Sequence, residues 1–229
     1  MSIKNGKDYL YLIWKSNSTG RQYIVGQLTQ NGQYEFQYGK EVDLAIKDGF
    51  KPLVSFEDLE KIYKCDELFP VFSSRLPDRK RKDIDKILKK YGLKEYDSYQ
   101  LLKMSGAKLP IDNLYFIDPI LNFDGEFEKS FFLAGVRHYL GCDGQECIKA
   151  MTVTRGDEVF LEHDKENVHD VNAIRVVNEN GVVLGYVPRY YTEAFLRFMK
   201  EKRILGCHIV NVDMNQSCDE CIAVVVKIS

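Results

Sequence analysis

No apolar run in this 229-residue chain approaches the ~18 residues that a membrane span requires. The opening stretch, MSIKNGKDYLYLIWK, lacks an apolar segment followed by a small-residue cleavage site. No signal peptide is read there, and a cytoplasmic protein is expected. Histidine is scarce: His138, His163, His169 and His208 are all there are, and none sits in a metalloprotease or hydrolase motif. There is no Walker-type or dinucleotide glycine loop. Charge of one sign is also missing. The net charge of −2 argues against a generic polyanion binder, though a site that grips a few phosphates remains compatible with it. Cysteine is nearly absent from the first half, where Cys65 stands alone, and an unexported chain keeps its thiols reduced, so the even count of six is no evidence for disulfides.

What is present describes a folded protein. Hydrophobic residues make up 45% and aromatic residues 12%, enough to build cores and to exclude disorder over most of the length. The length fits one large domain or two small ones. Residues 1–125 hold 20 Lys and Arg against 18 Asp and Glu, whereas residues 126–229 hold 12 against 16. That shift, with the crowding of Cys142, Cys147, Cys207, Cys218 and Cys221 into the second half, favours two domains, 1–122 and 123–229, meeting in Leu121–Phe127.

The first half reads as mixed α and β. Tyr9–Lys15 is a strand by its aromatic and branched residues, and Gln22–Gly39 is a hairpin folded about Asn31-Gly32. Ser55 and Asp58 mark a helix start running to about Tyr63. Asp78–Tyr91 is predicted helical, with Asp78 as cap and Ile84, Ile87, Leu88 and Tyr91 on one stripe. Asp97–Met104 is a second helix and Leu114–Ile120 a strand ended by Pro119. The second half is predicted to be about six short strands with one helix, Tyr191–Lys202, the pattern of a small barrel. The fold class is therefore α+β: a small α+β domain followed by a six-stranded β-barrel.

Four segments of the second half stand out together: Gly135-Val136-Arg137-His138-Tyr139 at the end of an apolar strand, Gly156-Asp157-Glu158-Val159-Phe160-Leu161, Asn167-Val168-His169-Asp170-Val171-Asn172-Ala173-Ile174, and Leu184-Gly185-Tyr186-Val187-Pro188-Arg189. Each alone has an ordinary explanation, such as an Asx-rich turn or a strand stopped by proline. In this order and spacing they resemble the HIRAN domain, over roughly Lys129–Ser229. The resemblance implies an OB-like barrel that captures the free 3′ end of single-stranded DNA. It implies that Arg137, His138 and Tyr139 hold the terminal nucleotides and that Asp170, with Asn167 in the same turn, receives the 3′ hydroxyl. It further implies that Arg189, beside Tyr186, contacts phosphate. The residue types suit these tasks: aromatic rings stack on bases, Arg presents a planar fork to phosphate, and a carboxylate accepts a hydroxyl while repelling phosphate. His138 departs from the usual phenol-type ring and stacks less well. Arg137, Tyr139, Asp170 and Arg189 are expected to line one concave patch.

In the first half, Phe69-Pro70-Val71-Phe72-Ser73-Ser74-Arg75-Leu76-Pro77-Asp78, a basic helix, Asp97-Ser98-Tyr99-Gln100-Leu101-Leu102 and Ser105-Gly106-Ala107 are similar to the N-terminal subdomain of HipA-type serine/threonine kinases, over roughly Tyr23–Ile117. No kinase body is visible, so kinase activity is not carried over. The resemblance implies a docking or regulatory piece whose partner is a HipA-type kinase or another protein, and bacterial kin.

Three other clusters compete as sites. Arg79, Lys80, Arg81, Lys82, Lys86, Lys89 and Lys90 form either a solvated helix face, the favoured reading, or an auxiliary phosphate track. Cys218-x-x-Cys221, with Cys142, Cys147 and Cys207-His208, has some of the residues of a zinc site, but one C-x-x-C on a β-turn is a weak signal and no cofactor is expected. Glu162, Asp164 and Glu166, near Asp157, are carboxylates of the kind a metal-dependent nuclease uses, but their alternation fits a solvated strand edge better. The expected protein is a binding protein, not an enzyme; the alternative reading is an antitoxin-like or adaptor module that binds a HipA-type kinase or other protein partner.

Overall fold

The structure, a computed structural model, describes residues 3–4, 7–120, 124–141, 153–213, 218 and 220–229. Within it the chain divides into two compact units, Met1–Asn122 and Phe123–Ser229. The architecture is α+β, with several small sheets and few helices.

The first unit is built on an antiparallel sheet of six strands: β1 Ile3–Lys4, β2 Lys7–Lys15, β3 Gln22–Gln30, β4 Tyr34–Tyr38, β5 Tyr63–Cys65 and β6 Leu114–Ile117. They pair in the order β1-β2-β3-β4-β5, with β6 on β2. The β3–β4 hairpin turns at Asn31-Gly32, and Gly32 takes φ +78°, the left-handed backbone such a turn needs. One face of the sheet buries Leu10, Leu12, Val25, Leu28 and Phe36. Against it packs an aromatic cluster, with Phe36 and Phe56 rings 4.4 Å apart and Phe72 and Phe116 rings 5.0 Å apart. Arg75 closes the unit. Its buried guanidinium makes paired bonds of 2.5 and 2.8 Å to Asp112 and donates to the Ala107 and Leu114 carbonyls. Asp112 is held below the usual carboxylate range by that guanidinium.

Several helix predictions are corrected here. α1 is Val42–Lys47 and α2 is Pro70–Ser73, two short helices that the sequence pattern does not mark. The predicted helix from Ser55 to Tyr63 is absent; that stretch buries one ring, Phe56, rather than a stripe, and loops back so that the Asp58 amide donates to the Tyr63 hydroxyl. The basic helix, α3, covers only Ile84–Lys90. Asp78 does not cap it; its carboxylate accepts the Lys80 amide in a local turn, which competes with helix. α4, Ser98–Ser105, follows the prediction closely: Asp97 accepts the Gln100 amide at 2.9 Å, and Gly106 ends the helix at φ +68°.

The second unit contains β7 Phe127–Phe132, β8 Val159–His163, β9 Ile174–Asn178, β10 Val183–Tyr186, β11 Ile204–Val212 and β12 Ile222–Ile228. Two helices accompany them among the described residues, α5 Val136–Leu140 and α6 Arg189–Lys200, rather than the single expected helix. The strands form two antiparallel sheets, β11-β12-β7 and β10-β9-β8. Single bridges join the sheets at two seams: Ala134 with Tyr186, and Glu158 with His208. The six strands thus follow a barrel order without continuous ladders at the seams. α6 buries Tyr191, Ala194, Phe195 and Phe198 at i, i+3, i+4 and i+7, and Phe195 meets Phe131 at 5.5 Å.

The Ala134–Tyr186 seam depends on Gly185. A Cβ there would lie 2.8 Å from the Ala134 carbonyl oxygen and 3.1 Å from the Leu133 Cβ. Backbone cannot retreat as a flexible side-chain tip can. Gly185→Ala is therefore expected to lower stability by about 1–3 kcal/mol, the usual cost of overpacking, read as a shifted urea midpoint.

Candidate nucleic-acid interface

The site begins where β7 ends. Ala134 exchanges two backbone hydrogen bonds of 2.8 Å with Tyr186 at the end of β10. Gly135, at φ +73°, then turns the chain into α5, and Gly141, at φ +65°, ends that helix. The prediction that Arg137, His138 and Tyr139 occupy a strand end is thereby corrected. Val136 and Leu140, four apart, are buried and anchor the helix. The three residues between them are exposed and fan out at about 100° per residue rather than alternating as on a strand. The tight Gly135 turn, set by the seam, is what converts the end of the apolar run into a helix.

Tyr139 packs on Tyr186, with ring centroids 5.3 Å apart and planes at 46°. The Tyr186 hydroxyl donates to Asp164 at 2.7 Å. Asp164 also receives the Asn167 side-chain amide at 3.1 Å. Asn167 in turn uses its side-chain oxygen to accept the backbone amides of His169, at 2.9 Å, and Asp170, at 3.1 Å. Asp170 accepts the Asn172 amide at 2.9 Å through one oxygen and stands 3.5 Å from the Arg189 Nε through the other. Arg189 is the first residue of α6, directly after Pro188 at the cap position. A continuous series of contacts therefore runs from Tyr139 through Tyr186, Asp164, Asn167 and Asp170 to Arg189. Arg137 and His138 are exposed on α5, and among the described residues neither side chain makes a hydrogen bond or ion pair.

The electrostatics follow from these bonds. Hydrogen bonds from Tyr186, first, and then Asn167 hold the Asp164 carboxyl below its ordinary range. The Tyr186 phenol is pushed well up by burial, by the Tyr139 hydroxyl and by Asp164, so it remains a donor. His163 braces the loop from the other side, its Nε2 lying 2.9 Å from the Val171 carbonyl.

Asp164 is the member that the sequence alone does not mark as part of this site; its alternation with Glu162 and Glu166 reads as a solvated edge. The available signal was its place three residues before Asn167, the spacing of a side-chain-closed turn. The other carboxylates of that group are engaged separately: Glu162 pairs with Arg175 at 2.9 Å and Asp157 takes the Thr154 amide and hydroxyl. Among the described residues no group of three or more His, Cys, Asp or Glu could hold a metal. Of the candidate zinc ligands, Cys142 and Cys147 lie outside the described residues. Cys221 is buried, with its Sγ 3.3 Å from the Cys218 carbonyl. Burial pushes the Cys207 thiol up to about 12, which keeps it protonated and unreactive.

The HIRAN domain family model matches residues 127–227, and the model of the HipA N-terminal domain matches residues 20–110. Among solved structures, the HIRAN domain of human HLTF is 22% identical, covering 45% of this chain and 74% of that one with a TM-score of 0.34. A protein from Lactobacillus plantarum is 19% identical, covering 46% of this chain and all of that one, also with a TM-score of 0.34. No curated protein matches.

Because the Tyr186 hydroxyl is the main group that holds the Asp164 carboxyl down, Tyr186→Phe should move that carboxyl back up toward the ordinary aspartate range. A carbon-detected NMR titration of the carboxyl resonance reads the shift. The sign is fixed: removing a donor to the charged form makes protonation easier.

Proposed function

We propose that this chain, which joins a HipA N-terminal domain to a HIRAN domain, is a binding protein whose second unit captures the free 3′ end of single-stranded DNA. The HIRAN match supports nucleic-acid binding as the coarse role of that unit. The observation that carries the finer reading is the pairing of Asp170 and Arg189 at the end of the contact series from Tyr139. A carboxylate and a guanidinium side by side offer an acceptor for a hydroxyl and a donor for the adjacent phosphate.

Asp170 has capacity for this task. A carboxylate offers about four lone-pair positions, of which the Asn172 amide uses one and Arg189 approaches another. Arg189 is half exposed at the N-terminal end of a 12-residue helix that has no side-chain cap, where the helix field also favours an anion. Tyr139 presents a half-exposed ring for stacking. Arg137 and His138 reach the strand from α5 without breaking an existing bond. Val168 and Val171 stand out from the same loop, 89% and 73% exposed, and offer apolar surface for a sugar or base to cover. End capture of this kind uses few phosphate contacts, which suits a unit of acidic total charge.

The first unit acts in this reading as a regulatory or docking piece. Its match to the HipA N-terminal domain supports a HipA-type kinase, or another protein, as partner. Neither unit is assigned catalysis or a cofactor. No described helix is long and apolar enough to cross a membrane.

A strand with a free 3′ hydroxyl should bind more tightly than the same strand ending in a 3′ phosphate. The hydroxyl gains a charge-assisted bond of ~1.5–3 kcal/mol, whereas the phosphate meets like charge. Asp170→Asn should shrink that preference, and Arg189→Ala should weaken both ligands alike. Titrating the two oligonucleotides at fixed salt checks this; equal affinity of the wild type for both ends would retire end capture, and binding of neither strand would favour a purely protein-docking module.

A further inference from the structure

Segment 79–90 of the first unit carries seven of the chain's 32 Lys and Arg but only two of its 34 Asp and Glu, a net +5. The rest of the protein therefore carries −7. All seven basic side chains are exposed. Arg81 is paired with Asp83, but Lys80, Lys82, Lys86 and Lys89 have no ion-pair partner among the described residues.

A solvated helix face explains only part of this. Lys89 and Lys90 lie in the last turn of α3, where cations are favoured by the helix field. Arg79–Lys82 are the opposite case. They are four consecutive cations just ahead of the first turn of α3, where that field disfavours them, and they repel one another. The segment is nevertheless held in place. Asp78 accepts the Lys80 amide at 2.7 Å, the Arg79 guanidinium lies 4.9 Å from the Tyr96 ring centroid, and the Tyr96 hydroxyl donates to the Pro77 carbonyl at 2.9 Å. Folding thus maintains a fixed concentration of positive charge against local electrostatics, in an otherwise acidic protein. An external polyanion relieves that repulsion.

We propose that Arg79–Lys82 and the exposed face of α3 form a second phosphate-contact surface, which takes the backbone of a nucleic-acid strand without reading its sequence. The inference rests on the nucleic-acid reading for its choice of partner, but uses none of the residues of the second unit. Linked to an end-binding unit on the same chain, such a surface converts weak backbone contact into intramolecular binding for any strand long enough to reach both.

The test uses the full chain, the triple variant Lys80→Gln/Lys82→Gln/Lys86→Gln, and single-stranded DNA of 6 and 30 nucleotides, each with a 3′ hydroxyl. Affinity is read across a salt series by fluorescence anisotropy, with thermal melts to confirm that the variant is folded. Three lost contacts at ~0.7 each should reduce the salt slope for the 30-nucleotide strand by about 2. Affinity for that strand should fall tenfold or more at low salt, while the 6-nucleotide strand is unaffected. Unchanged slope and affinity for the long strand would overturn the surface while leaving end capture intact. Patch-dependent binding of the long strand, with no binding of the short one to either protein, would support the surface and retire end capture. A wild type that binds the long strand without salt dependence would also overturn it, and leave these cations to an acidic protein partner.

Discussion

The backbone pairing of Ala134 with Tyr186 is the constraint on which the candidate interface depends. It joins the end of β7 to the end of β10 and so joins the two sheets of the second unit. It also leaves Gly135 to reverse the chain into α5, and it sets Tyr186 where its ring meets Tyr139 and its hydroxyl reaches Asp164. From Asp164 the order passes by side-chain bonds into the Asn167–Asn172 loop, which is otherwise a surface turn with no strand or helix of its own. The loop that presents Asp170 is thus tied to a sheet edge by half-buried polar groups. A site held in this way needs little reordering when a ligand arrives, which preserves affinity.

Charge acts differently in the two units. At the second unit's candidate interface single charges are placed beside opposite ones, as with Asp170 and Arg189, an arrangement suited to recognition by position and geometry. In the first unit the cations of segment 79–90 are many and mostly unpaired, which suits long-range attraction and tolerates any strand sequence. The buried ion groups of the first unit serve the fold instead. Arg75 with Asp112, and Lys103 between Asp8 and Asp118, tie distant segments of the chain together.

Local chemistry made some of this legible from sequence. Asn31-Gly32 specifies its hairpin, and Asp97 with Gly106 brackets α4, because each signal acts within a few residues. The Asn167, Asp170, Tyr186 and Arg189 positions stand out for the same reason: Asx turns and a proline-stopped strand have short, recognisable text. What could not be read depends on contacts between distant segments. α5 is a helix because a seam with β10 forces the turn at Gly135, although its residues continue an apolar strand pattern. The stretch from Ser55 to Tyr63 has a helix start signal, yet the aromatic cluster takes Phe56 alone and leaves the rest as loop. Asp164 looked like one of several alternating carboxylates until Tyr186, 22 residues later, was brought to it.

The central claim is that one contiguous surface, from α5 through the Asn167–Asn172 loop to the start of α6, receives the strand end. The most direct measurement is a two-dimensional amide NMR titration of the full chain with a short single-stranded DNA bearing a 3′ hydroxyl. The account predicts that the largest shifts in the second unit fall at residues 135–139, 164–172 and 185–189. Shifts of that unit confined to the opposite sheet, along β11 and β12, would contradict it.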